Sequence, residues 1–187
     1  MNFLGGIVNF VGGSIEVSEL VKMKEVICED RVVTQWKANV YSGVGIVFGG
    51  GYGQPIEYGE EGRRAAAILD GGISNRDELC RRLTLEECPC DAGLAVAAYS
   101  LMSDSFFNAV KGSYTVAIYD EEQGRVIVAI RGRGRAPLYY IKQEECLIFA
   151  SSLKGILAFG EPSEVETIVD GDGFIISHGK CERVTIE

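Results

Sequence analysis

Apolar residues recur along this chain on two different periods, and the change from one to the other outlines its elements. Residues 5–10 (GGIVNF) read as a buried strand, and Ser18 to Cys28 as a helix with Leu20, Val21 and Val26 on one side. Gly43 to Phe48 alternates small and apolar residues and predicts a second strand, after which the glycine-rich run 49–55 breaks regular structure. Ala65 to Leu69 is a short apolar run whose periodicity suits strand or helix equally. Asn75 followed by Glu78 resembles a capping box and predicts a helix through Leu83. Asp91 opens another helix, to Met102, with an alanine-rich face suited to close packing.

From Tyr114 onward the period shortens. Tyr114–Asp120 and Arg125–Arg131 flank Glu-Glu-Gln-Gly, a four-residue hairpin turn with glycine. Leu138–Ile141 and Cys146–Ala150 repeat the arrangement across a polar turn. A short helix over Ser152–Phe159 and a last strand pair, Thr167–Ser177 and Cys181–Ile186, close the chain. A strand and helices followed by antiparallel hairpins give an α+β fold with two sheets. No repeat, low-complexity tract or linker interrupts the pattern, so residues 1–187 are expected to form one domain.

Composition narrows the function classes. The chain has 187 residues, 47% hydrophobic and 24% charged, the make-up of a globular domain with a core of its own. A formal charge of −9 argues against general nucleic-acid or anionic-membrane binding, which need a basic face. The one basic cluster, RGRGR at 131–135, is too short to overturn that. No apolar stretch is long enough to span a bilayer, and residues 3–12 lack the charged start of a secretory signal, so a cytoplasmic protein is expected.

Six cysteines in a chain of this size do not read as a small secreted disulfide framework. Cys80, Cys88 and Cys90, with the lone His178, invite a metal or redox reading, but their spacing matches no common structural zinc pattern. Reduced, unmetallated thiols near a helix end are expected. The glycines at 43–53 lack the lysine and hydroxyl of a phosphate-binding loop, so no cofactor is expected.

A set of motifs in fixed order carries the functional expectation. They are Gly5-Gly6-Ile7-Val8-Asn9, Gln35-Trp36-Lys37-Ala38, Asp70-Gly71-Gly72, Cys90-Asp91-Ala92, Gly112 through Ala117, Arg131 through Tyr140, Ala150-Ser151-Ser152 and Val169 through Asp172. Together they resemble the glutaminase domain of class II glutamine amidotransferases, most closely that of glutamine phosphoribosylpyrophosphate amidotransferase, over residues 5 to 178. The resemblance implies the N-terminal-nucleophile hydrolase fold, a four-layer αββα sandwich of two antiparallel sheets. It also implies a cysteine nucleophile at the start of the mature chain, activated by its own α-amino group.

The residues depart from that chemistry at Gly5, Lys37 and Asp70. Gly5 stands where the family's Cys-Gly-Ile-Val-Gly opening has its cysteine, and glycine has nothing to attack with. Four residues precede it, so no free amine adjoins it, and Met1-Asn2 supplies no substitute nucleophile. Lys37 takes the place of the arginine that grips the substrate carboxylate, keeping the charge but losing the bidentate fork. Asp70 replaces an amide donor of the oxyanion hole with an acceptor, whereas Gly71 retains its backbone donor. Asp91 matches the aspartate that takes the substrate ammonium, although an aspartate at a helix start is also an ordinary N-cap, and Asp70 before two glycines an ordinary turn residue.

The expected protein is therefore a pseudoenzyme: a binding, regulatory or scaffold subunit with a vestigial amino-acid pocket at Lys37, Asp70, Gly71 and Asp91. Its partner would be a synthase or transferase on another chain. The alternative is an active subunit that releases ammonia from glutamine through an unrecognised nucleophile.

Overall fold

A computed structural model of the chain describes residues 3–11, 13–29, 33, 35–50, 56–58, 65–160 and 164–186. They form two compact units, each woven from separate stretches of sequence. Among the described residues the strands form two six-stranded antiparallel sheets accompanied by helices, the expected α+β fold.

The first unit comprises residues 1–52, 136–168 and 178–180. Its strands are β1 (Phe3–Asn9), β2 (Trp36–Tyr41), β3 (Val44–Gly49), β8 (Leu138–Lys142), β9 (Cys146–Ala150) and β10 (Glu166–Ile168), in the order β10-β8-β9-β1-β3-β2. As expected, β1 is a buried interior strand, with Gly5 opposite Val47 on one side and Ala150 on the other. Glycines of β1 and of its neighbour β3 make room for large side chains. A Cβ on Gly6 would lie 2.5 Å from the Phe149 ring, and one on Gly45 would meet Ile15 and Leu20.

Two helices belong to this unit, α1 (Val17–Ile27) and α5 (Leu153–Leu157). The Glu19 carboxylate accepts the Glu16 N–H at 3.1 Å, satisfying one of the donors a helix start leaves open. Helix α1 buries Leu20 and Met23 against Phe3, Ile7, Val47, Ile148 and Ile156. The expected inward face of Leu20, Val21 and Val26 is thus corrected. Leu20 and Met23, three apart, share the face that meets the sheet, whereas Val21 and Val26 remain half-exposed beside it.

The second unit comprises residues 53–135, 169–177 and 181–187. It holds β4 (Ile56–Tyr58), β5 (Ala65–Ile73), β6 (Gly112–Asp120), β7 (Arg125–Arg131), β11 (Asp172–Ser177) and β12 (Lys180–Thr185), ordered β12-β11-β7-β6-β5-β4. The ambiguous run at 65–69 is a strand, and it continues through Asp70, Gly71 and Gly72. These three pair with Thr115, Tyr114 and Ser113 of β6, so Asp70 is a ladder residue rather than a turn aspartate.

The expected final strand Thr167–Ser177 is also corrected, because β10 and β11 lie in different sheets. Gly171 separates them at φ +85°, a left-handed conformation that ends the extended run. Its N–H bonds Ile130 O, and Asp172 N–H bonds Val169 O. The glycine-rich break expected at 49–55 lies outside the described residues from 51 onward.

Three helices accompany this sheet: α2 (Arg76–Arg82), α3 (Asp91–Met102) and α4 (Phe106–Ala109). Every residue of α3 from Ala92 to Tyr99 is buried, as an all-round apolar helix requires. Its alanines pack in one cluster with Ala65 and Ala67 of β5, where small side chains allow close approach. Asn75 does not close the expected capping box. Its amide donates to Ala109 O at 2.9 Å, its oxygen accepts the Lys111 N–H at 2.9 Å, and α2 is thereby tied to the segment before β6.

Tyr99 of α3 donates to Asp120 Oδ2 at 2.8 Å, and both side chains are buried. Burial, followed by the Asp120 carboxylate, raises the Tyr99 phenol above its usual range, and burial raises Tyr114 as well. A folded-state pKa above the unfolded one means that the neutral phenol stabilises the fold fully below about pH 10. That stability is lost as pH rises further, through the folded-state value. Tyr99→Phe is expected to cost roughly 2 kcal/mol at neutral pH, since the bond it removes is to a buried carboxylate. The variant should also lose stability less steeply above pH 10. Urea midpoints measured across that range check both.

Candidate ligand site

Strand β5 and the start of α3 bring Asp70, Gly71 and Asp91 into the second unit. Lys37 lies in the first, exposed on β2 at the edge of its sheet. Gly71 has φ +111°, and a Cβ there would fall 2.1 Å from Ser113 O, so only glycine fits.

Both aspartates are held by arginines that the motif match did not single out. Asp70 forms an ion pair with Arg135, whose Nη2 also donates to Asp70 O at 2.9 Å and reaches Thr115 Oγ1 at 3.5 Å. The two side chains are only 19% and 16% exposed, so this pairing offsets the carboxylate in a poorly hydrated place. Asp70, expected at an oxyanion position from the motif match alone, thus does not present an isolated negative charge. Arg135 Nε is buried without a partner among the described residues.

Asp91 is the first residue of α3, with Cys90 at the N-cap and no side-chain cap bond. The helix-capping role is therefore corrected: the carboxylate reaches across to β5 and α2. Its Oδ2 accepts the Ile73 N–H at 3.2 Å, and its Oδ1 pairs with Arg76 Nη1. Arg76 also donates from Nη2 to Pro89 O at 2.6 Å. The Asp91 side chain remains a quarter exposed, and a carboxylate has about four acceptor positions, so another donor can be accommodated.

Gly5, expected from the motif match at the family's nucleophile position, lies in the first unit. A Cβ on Gly5 would sit 2.3 Å from Met23 Sδ and 3.3 Å from Phe149 O. A side chain at that position therefore points into the layer between the sheet and α1.

The basic run 131–135 is absorbed structurally at both ends. Arg131 donates to Phe107 O at 2.8 Å and Arg135 holds Asp70, leaving Arg133 exposed. The expectation of reduced thiols is corrected at one pair: Cys80 and Cys88 form a disulfide across a Cα separation of 5.7 Å, a spacing a bridge can span. Cys28, Cys90, Cys146 and Cys181 form no disulfide among the described residues. Among the described residues no group of three or more histidine, cysteine, aspartate or glutamate side chains is placed to hold a metal.

The glutamine amidotransferase domain model matches residues 46–158, more than half of the chain. This chain belongs to the glutamine amidotransferase domain family. Among curated relatives it is 29% identical over 102 residues to a putative glutamine-hydrolysing asparagine synthetase of Methanocaldococcus jannaschii. That match covers 54% of this chain and 20% of the relative, so the chain spans a small part of the relative's length.

Its fold is similar to that of glutamine phosphoribosylpyrophosphate amidotransferase from B. subtilis, with TM-score 0.73 and 14% identity. There the match covers 99% of this chain and 49% of the other. A class-II glutamine aminotransferase domain protein from Silicibacter pomeroyi matches over 98% of both chains, with TM-score 0.57 and 8% identity. These likenesses show the fold alone, two antiparallel sheets with helices. No helix among the described residues is long and apolar enough to cross a membrane.

Proposed function

We propose that this glutamine amidotransferase domain is catalytically degenerate and acts as a non-catalytic binding, regulatory or scaffold subunit for a synthase or transferase on another chain. The observation that carries this reading is at Gly5. The family's nucleophile is missing there, and a side chain at that position would meet Met23 instead of a substrate. The Asp70–Arg135 pair supports it, because the motif match expects an amide donor where this carboxylate and its counter-ion stand. The partner class follows from the synthetase and amidotransferase relatives, each much longer than the matched segment.

Asp91 retains the one charged contact to substrate that the family pattern preserves. An amino acid's ammonium would add to its acceptors beside Ile73 N–H and Arg76. Calorimetry with glutamine and with glutamate on the parent chain should show weak binding that Asp91→Asn reduces at least tenfold. Binding unchanged in Asp91→Asn would move the ligand elsewhere, and glutamine turnover abolished by a thiol alkylator would overturn the degenerate reading altogether.

A further inference from the structure

Arg76 and Cys80 are four residues apart on α2 and therefore share one face of that helix. Both reach the segment that leads into α3. Arg76 holds Asp91 and Pro89 O, with its Nη2 3.7 Å from Cys88 Sγ, while Cys80 is bonded to Cys88. One ionic link and one covalent link thus tie the same helix face to residues 88–91. The covalent link is open to attack, since Cys88 is exposed whereas Cys80 is half-buried against the core. Cys90, two residues on, is an exposed free thiol.

We propose that Cys80–Cys88 is a reversible thiol–disulfide exchange site for a dithiol reductant, and that its state sets how firmly Arg76 covers Asp91. A thiolate of the dithiol attacks the exposed Cys88 sulfur, and the Cys80–Cys88 bond breaks. Cys80 leaves as a thiolate and takes a proton. The second thiol of the reductant then attacks the mixed disulfide, releasing Cys88 as a thiol and the reductant as its own disulfide. Two electrons pass to the protein, and a disulfide of the same class runs the exchange backward. With the bridge open, residues 81–87 lose their covalent closure, and Arg76 keeps its contacts to Cys88, Pro89 and Asp91. The consequence for ligands rests on the proposed role of Asp91, whereas the exchange chemistry does not.

The experiment uses the full chain purified without reductant and compared before and after a dithiol such as dithiothreitol. Alkylation with peptide mapping should label Cys90 in both states, and Cys80 and Cys88 only after the dithiol. Hydrogen exchange at Ile73 and over residues 88–94 should then accelerate at least tenfold more than over β6 and β7. Cys88→Ser should show the fast exchange without reductant. Cys80 and Cys88 labelled at the outset, or protected until denaturant is added, would overturn the proposal. Acceleration that is uniform across the unit would do so as well, since it would make the bridge a general staple. Glutamate binding should tighten at least threefold on reduction. Absence of binding in both states, with exchange still dependent on the dithiol, would remove the ligand role of Asp91 and leave the exchange site standing.

Discussion

Incubated with glutamine, the purified chain is expected to release no ammonia above a buffer blank, and Gly5→Cys is expected not to change that. Removing the nucleophile of a covalent hydrolase costs on the order of 10⁶ in turnover. Loss of a single oxyanion donor costs a further factor of about 10²–10³. By the motif match, glycine at position 5 incurs the first loss, and the Asp70–Arg135 pair stands where the match places one such donor. The failure of Gly5→Cys follows from direction. A Cβ at residue 5 meets Met23 Sδ at 2.3 Å, so the new thiol would push against α1. The smaller clash of Gly5→Ala separates the two effects: it should lower stability as Gly5→Cys does, again without activity. A coupled ammonia assay on parent and both variants is sufficient, and turnover in Gly5→Cys would show that the side chain does reach a substrate.

Gly71→Ala is expected to damage the second unit severely. At φ +111° an alanine is strained, which costs of order 1–3 kcal/mol. Its Cβ would also stand 2.1 Å from Ser113 O and 2.9 Å from Tyr114 Cα, both backbone atoms that cannot rotate away. Forcing the β5–β6 ladder apart adds an overpacking cost of about 1–3 kcal/mol. The sum, roughly 4 kcal/mol, is a large share of the stability of an ordinary domain. Gly124→Ala is the control: φ is +57°, with nothing within 4 Å of the added carbon, so only the backbone term applies. Urea denaturation should show a midpoint shift several times larger for Gly71→Ala. Equal shifts would mean that the close approach at Ser113 relaxes at no cost.

Much of the architecture was legible because it rests on local signals. The β6–β7 hairpin is bounded by Glu121-Glu122-Gln123-Gly124, with glycine at φ +57°, and α3 announces itself by unbroken apolar residues after Asp91. Strand β2 gave no such signal, since Trp36, Lys37 and Val40 on this edge strand are all exposed and no face alternates cleanly. The candidate site was legible only by half. Asp70, Gly71 and Asp91 stood out through the family pattern, but their counter-ions did not. Arg135 lies 65 residues from Asp70, and Arg76 lies 15 from Asp91, separations at which no helix or strand period connects a charge to its partner. The disulfide was missed for a different reason. Reduced thiols are the usual expectation for a protein read as cytoplasmic, and nothing in C-x7-C says that the chain turns back to place Cys88 beside α2.

The place of β1 has a consequence for the order in which a ribosome-bound chain becomes structured. Gly5 pairs with Val47 on one side and with Ala150 on the other. The first partner is made soon after β1, but the second only after β2 to β8 have been made. Contacts of such separation form late and slow the search for the native state. Until β9 emerges, β1 carries an open row of backbone donors and acceptors beside apolar side chains, the kind of edge that recruits foreign strands. By contrast β5, β6 and β7 are successive strands, each laddered to the next, and can settle while the rest is still being translated. Truncations ending before Cys146 should therefore aggregate through their first ten residues while already protecting the β6–β7 amides from exchange.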